Sequence, residues 1–147
     1  MFAVVCDYFT HIMNGLSRRR RLIGVTHIDT NRRAREYDAK YPLDTPYGIR
    51  AVLDDYWRLV AAVEAGDYDA VDVLLDFFVM MDRAELTDKQ FAAIVAVFIE
   101  GLTQEEAATA LGLASKSGVN NLIQRAIARM AEANGWGGED VYAEWAR

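Results

Sequence analysis

The run VNNLIQRA places the side-chain amides of Asn120, Asn121 and Gln124 beside the guanidinium of Arg125. Amides and guanidinium groups pair bidentately with adenine and guanine edges. Lys116 and Ser117 before them and Arg129 after them add cations and a hydroxyl suited to phosphate oxygens. The residues that could do covalent or metal chemistry are not so arranged. His11, His27 and Cys6 show neither ligand nor triad spacing. Glu105 with Glu106, and Asp54 with Asp55, are adjacent in sequence, so on a helix each pair diverges by about 100° and does not converge on a metal. No glycine-rich phosphate loop is present. The residue types therefore point to recognition and away from an enzyme, and no cofactor or metal is expected.

Three consecutive capped helices can position that amide and guanidinium set. Thr87 with Gln90, and Thr103 with Glu106, are capping boxes in which a hydroxyl and a side chain three residues on satisfy orphan amides at a helix start. From Thr87 the spacing Phe91, Ile94, Val95, Phe98 predicts a buried helical face, ended by Gly101. From Thr103 a short helix carries Ala107, Ala108 and Leu111 and stops at Gly112; its small alanines permit a close crossing. The third helix, opened by Ser115 or Ser117, has Val119, Leu122, Ile123, Ala126, Ile127 and Met130 on one stripe. Ser117, Asn120, Asn121, Gln124 and Arg125 fall on the other. Solvation alone would account for outer amides on an ordinary bundle. Charge placement favours a ligand: no acidic residue lies between Ala107 and Ala131, while Lys116, Arg125 and Arg129 do, in a chain of net charge −6. A polyanion is the simplest reason for an acidic protein to spare one helix.

The sequence LTDKQ, then EGLTQEEAATALGL, then a helix of the form VxxxIxRA resembles region 4 of bacterial sigma factors and the shorter phage-encoded, sigma-like regulators built around it. The resemblance covers about a third of the chain. It implies a helix-turn-helix whose third helix reads the major groove of a promoter's upstream element. The positions it implies as DNA contacts are Lys116, Ser117, Asn120, Asn121, Gln124 and Arg125; charge placement adds Arg129 further along the helix. One departure bears on which of Ser115 to Asn120 face DNA: five residues separate Leu113 from Val119, where the usual pattern has one fewer, and Gly118 sits in the first turn.

At 147 residues and 52% hydrophobic, the chain can bury one real core, or one core with a small satellite. One Cys and no apolar run near twenty residues fit a soluble cytoplasmic protein, in the host cell if phage-encoded, with no membrane partner. The opening MFAVVCDYFTHIM is short and its arginines follow it, the reverse of a secretory signal's order. Charge is divided by region. Residues 1–50 carry nine Lys and Arg against five Asp and Glu, 51–83 carry two against eight, and 84–147 carry five against nine. The acidic middle is thus expected to pack or to bind protein, away from phosphates.

The expected architecture is all-α: a helical hairpin plus a C-terminal helix-turn-helix, with an N-terminal helical arm. Its divisions are a basic arm with an amphipathic helix over 1–44, an acidic hairpin over 45–83, the helix-turn-helix over 84–134 and a tail over 135–147. In the hairpin, Thr45 before Pro46 starts a helix through Ile49, Val52, Leu53, Tyr56, Val60 and Val63 to Gly66. Asp67 caps a second helix, apolar nearly all round, expected to lie between the first hairpin helix and the helix-turn-helix. Its Met and aromatic residues read as core, the alternative being a groove for a polymerase subunit. Tyr41–Gly48 and the GWGG at 135–138 resemble linkers, and EDVYAEWAR suits a last short helix returning Val141, Tyr142 and Trp145 to the core. In the arm, Phe2, Val5, Phe9, Ile12 and Leu16 alternate by three and four as in a heptad seam, followed by Arg18–Arg21. Self-association and folding back on the protein's own core both remain open. Arg32, Arg33 and Arg35, after a Thr30 cap, form a charge run that suits phosphates or a solvated face.

Three function classes follow. The first is a sequence-specific transcription regulator that binds double-stranded DNA and contacts RNA polymerase. The second is a small terminase-type DNA-packaging subunit, a homo-oligomer for which the N-terminal seam is suited. The third is a helical protein-interaction module that does not bind DNA, which the overall acidity favours.

Overall fold

The computed structural model describes residues 30–137, whose regular elements are all helices. They are α1 (Thr30–Lys40), α2 (Pro46–Asp54), α3 (Tyr56–Glu64), α4 (Tyr68–Arg83), α5 (Asp88–Ile94), α6 (Gln104–Ala110) and α7 (Lys116–Ala133), with a π-turn over Val95–Ile99 extending α5. The protein is all-α, as its periodicity predicts. The Phe2–Leu16 seam, the Arg18–Arg21 run and the EDVYAEWAR helix lie outside the described residues. Among the described residues no helix is long and apolar enough to cross a membrane.

The Tyr41–Gly48 stretch is a packed corner and not a slack linker. Tyr41 is buried, Thr45 Oγ1 accepts the Gly48 amide at 3.1 Å, and Pro46 supplies the first turn of α2. A Cβ on Gly48 would lie 2.0 Å from the Pro42 carbonyl oxygen, so only glycine allows the approach. The expected single helix from Thr45 to Val63 is broken at Asp55, which leaves helical geometry at φ −97°, ψ 10°. Tertiary partners hold that residue. Asp55 Oδ2 accepts from Lys40 Nζ at 2.8 Å and from the Tyr41 hydroxyl at 2.9 Å, and lies 3.2 Å from Arg58 Nη2. Arg58 Nη2 also donates to the Tyr41 oxygen at 2.7 Å.

Gly66, at φ +90°, stops α3, and Asp67 starts α4 by accepting the Asp69 amide. Its other oxygen accepts from the Tyr37 hydroxyl at 3.0 Å, fixing α1 to the start of α4. Burial and that bond push the Tyr37 hydroxyl up to about 12. α4 packs against α1, α2, α3 and α7. Ala70, Leu74, Phe77, Met80 and Met81 are buried, as the core reading of this helix expects. It is not enclosed all round, however: Leu75 and Val79 are 43% and 41% exposed.

α5 is rotated from the expected face. Gln90, Ala93, Ile94 and Ala96 are buried, whereas Phe91, Val95 and Phe98 are only half-buried. The π-turn, in which the Glu100 amide donates to the Val95 carbonyl at 2.9 Å, takes an extra residue and shifts the register before Gly101. Gln90 is tolerated inside because its Oε1 accepts the Thr87 amide, completing the predicted capping box. α7 then buries Val119, Ile123, Ala126, Ile127 and Met130, each at most 2% exposed, while Leu122 is half-buried. One continuous apolar cluster runs from Tyr41 through the hairpin to Ala131. The GWGG segment also differs from a linker: Gly135 turns at φ +95° and the Trp136 amide donates to the Ala131 carbonyl, folding its indole back against the core.

The Asp55 carboxyl is held below the usual carboxylate range, first by the Lys40 hydrogen bond and then by Tyr41 and Arg58. A depressed folded value contributes stability above the unfolded pKa of about 4, and that contribution is lost as pH falls through the folded value. Asp55→Asn therefore costs about 1 to 2 kcal/mol at neutral pH. Urea unfolding across pH will show the gap to wild type narrowing below about pH 4; a gap independent of pH contradicts the ion-pair account.

Candidate nucleic-acid interface

The turn between α6 and α7 sets what the outer face of α7 can offer. Thr103 Oγ1 accepts the Glu106 amide while Glu106 Oε2 accepts the Thr103 amide at 2.8 Å, so α6 starts with the predicted box. The same contacts hold the Glu106 carboxyl below its ordinary range. Ala107 and Ala108 are buried on α6, which packs against α7, and their small side chains permit a close crossing. Gly112 turns at φ +66°, and the Leu113 amide returns to the Ala108 carbonyl at 2.8 Å.

Ser115 occupies the cap position of α7 in extended geometry, without a side-chain capping bond. The Gly118 amide donates to the Ser115 carbonyl at 3.0 Å and closes a tight first turn. Leu113 lies over Gly118, where an added Cβ would meet its side chain at 3.6 Å, an ordinary contact. Lys116 and Ser117 consequently point to solvent.

The other expected site residues follow from helical spacing. Ser117, Asn121 and Arg125 form an exposed row four residues apart, and half-exposed Asn120 and Gln124 form the row beside it. Arg129 continues along the helix, half-exposed. Among the described residues, no hydrogen bond or ion pair engages Asn120, Asn121, Gln124, Arg125 or Arg129. Their polar groups thus face outward over a stripe that is almost wholly buried. Lys116 is different: its Nζ lies 3.6 Å from Glu105 Oε1, with both side chains largely exposed. Sequence reasoning missed this neighbour because Glu105 precedes the acid-free stretch and only the α6–α7 turn brings it back. Arg32 and Arg33 belong elsewhere. They sit on α1, where Arg32 pairs with Glu36 at 3.0 Å and Arg33 Nη1 lies 3.9 Å from Asp67.

Two substitutions separate the inner stripe from the turn. Ile123→Ala deletes buried methylenes and leaves a cavity, costing about 2 to 5 kcal/mol. Gly118→Ala meets only ordinary contacts and removes a glycine with helical backbone from the first turn of α7, so it stabilises by about 0.4 to 1 kcal/mol through the unfolded chain. Thermal and urea unfolding read both; a stable Ile123→Ala chain would show the face to be rotated.

Residues 84–130 match the family described as Sigma-70, region 4, a span that takes in α5, the π-turn, α6 and most of α7. No curated protein and no solved structure matches the chain. Domains of that family bind DNA and are not catalytic. Residues 84–130 are accordingly a sigma region 4-like helix-turn-helix, carried here by α5, α6 and α7.

Proposed function

We propose that the protein is a sequence-specific, DNA-binding transcription regulator, phage- or mobile-element-encoded, that reads duplex DNA with α7 and contacts RNA polymerase. The observation that carries the DNA reading is the division of α7 itself: a buried inner stripe fixes the helix, and its outer amides and guanidinium groups have no partner among the described residues. The extension to a phage origin and to polymerase rests on the resemblance to sigma-like regulators.

In this reading α7 lies in the major groove. Asn120, Asn121 and Gln124 pair with adenine N6 and N7, and Arg125 with guanine O6 and N7. Lys116, Ser117 and Arg129 meet phosphates, setting register without reading sequence. The first turn of α7 assists, since Ser115 makes no side-chain capping bond and the positive end of the helix dipole favours an anion. Glu105 opposes it. Lys116 must exchange the Glu105 carboxylate for a phosphate, and the neighbouring negative charge weakens indiscriminate binding. The net charge of −6 acts in the same direction, so affinity depends on base contacts made at the right site.

Fluorescence anisotropy on a site selected by the full chain tests this. Affinity falls by about a decade or more between low and moderate salt, because several phosphates are neutralised. Asn121→Ala, Gln124→Ala and Arg125→Ala each cost about 1 to 3 kcal/mol at the selected site, with unchanged melting. Lys116→Ala weakens all sequences alike and flattens the salt slope by about one. Binding that is flat with ionic strength, or indifferent to all four substitutions, contradicts the reading.

A further inference from the structure

We propose that the outer stripe of α4 is a docking surface for a basic amphipathic helix of a partner protein. Tyr68, Leu75 and Val79 are 78%, 43% and 41% exposed, with half-buried Val71 between the first two. These residues follow one another at steps of three, four and four, which keeps them on one face over about three helical turns, or roughly 17 Å. The buried row Ala70, Leu74, Phe77 and Met81 occupies the other side of the helix. The stripe is therefore an apolar ridge turned away from the core. Apolar anchors repeated at helical spacing are the pattern against which an amphipathic helix packs.

Charge specifies the occupant. α4 carries Asp69, Asp72, Asp76 and Asp82 against Arg83 alone. Helical spacing sets Asp72 and Asp76 along one side of the stripe and Asp82 one turn beyond Val79. All three are exposed, and among the described residues no hydrogen bond or ion pair engages their side chains. Uncommitted carboxylates beside apolar anchors attract a helix whose own apolar stripe is flanked by Lys or Arg. They repel the other candidates. A second copy would set the same aspartates against one another, and DNA or an anionic membrane surface would meet like charge. The stripe lies on a different helix from the reading edge of α7, so the inference does not rest on the DNA reading, and one chain can hold duplex and partner together.

The test uses the full chain and three labelled synthetic peptides of about 20 residues, long enough to hold a helix. One has leucines at heptad a and d positions with lysine flanks, the second has glutamate flanks instead, and the third scrambles the order of the first. Fluorescence anisotropy reads binding. The lysine-flanked peptide is expected to bind about tenfold or more tighter than either control. Leu75→Ser with Val79→Ser removes two half-exposed anchors and weakens it by about tenfold, with melting and affinity for the selected duplex unchanged. Asp72→Lys with Asp76→Lys weakens it too, and recruits the glutamate-flanked peptide. Equal binding of the scrambled peptide, indifference to both pairs of substitutions, or no peptide binding by the full chain overturns the proposal. A dimer in sedimentation that Leu75→Ser with Val79→Ser dissociates would assign the stripe to a second copy and overturn it as well.

Discussion

Burial of one stripe of α7 is the constraint on which the rest of the molecule depends. Val119, Ile123, Ala126, Ile127 and Met130 are at most 2% exposed, and the helix that carries them touches α2, α4, α5 and α6. Each of these side chains larger than Ala126 contributes about 1.5 to 3 kcal/mol by leaving water, so rotating α7 about its axis would sacrifice much of the core. Because the period of the helix is fixed, that one commitment also determines which residues face outward. Asn121 and Arg125 are exposed for the same reason that Ile123 is hidden. The hairpin contributes more than bulk: α2 and α4 supply the far side of the α7 seat, and the apolar cluster does not stop at the boundary between hairpin and helix-turn-helix.

Electrostatics refines what packing fixes. Several acidic groups in the first half of the described chain are committed to local partners: Asp55 to Lys40, Tyr41 and Arg58, Asp67 to Tyr37 and Arg33, Asp54 to Arg50. The cations of α7 beyond Lys116 are not committed in that way among the described residues. An acidic protein can therefore still present a basic, hydrogen-bonding edge, and the Glu105–Lys116 pair marks where that edge begins.

Elements governed by local chemistry were legible in the sequence. The capping boxes at Thr87 and Thr103, the caps at Thr45 and Asp67, the left-handed stops at Gly66, Gly101 and Gly112 and the inner stripe of α7 all depend on residues within a turn or two of one another. What was not legible depends on distant partners. The break at Asp55 is held by Lys40 and Tyr41, the corner at Gly48 by the Pro42 carbonyl, and the return of Trp136 by the face of α7. α5 buries Gln90 and Ala93 in place of the expected Phe91 and Val95, and the π-turn after Ile94 adds a residue that a pure three-four spacing cannot register. At the site itself the outer residues of α7 were found from periodicity. The Glu105 neighbour was not, since proximity across a helix-turn-helix corner leaves no mark in local spacing.

The central claim is that one helix serves both as the keystone of the core and as the reading edge. Amide chemical-shift mapping of the full chain, with and without a duplex containing its selected site, tests it most directly. The account predicts shifts concentrated between Lys116 and Arg125 and at the Glu105 end of α6, with Ile123, Ala126 and Ile127 amides keeping their slow exchange throughout. Shifts centred on α1 or α4, or loss of protection along the inner stripe of α7 on binding, would contradict it.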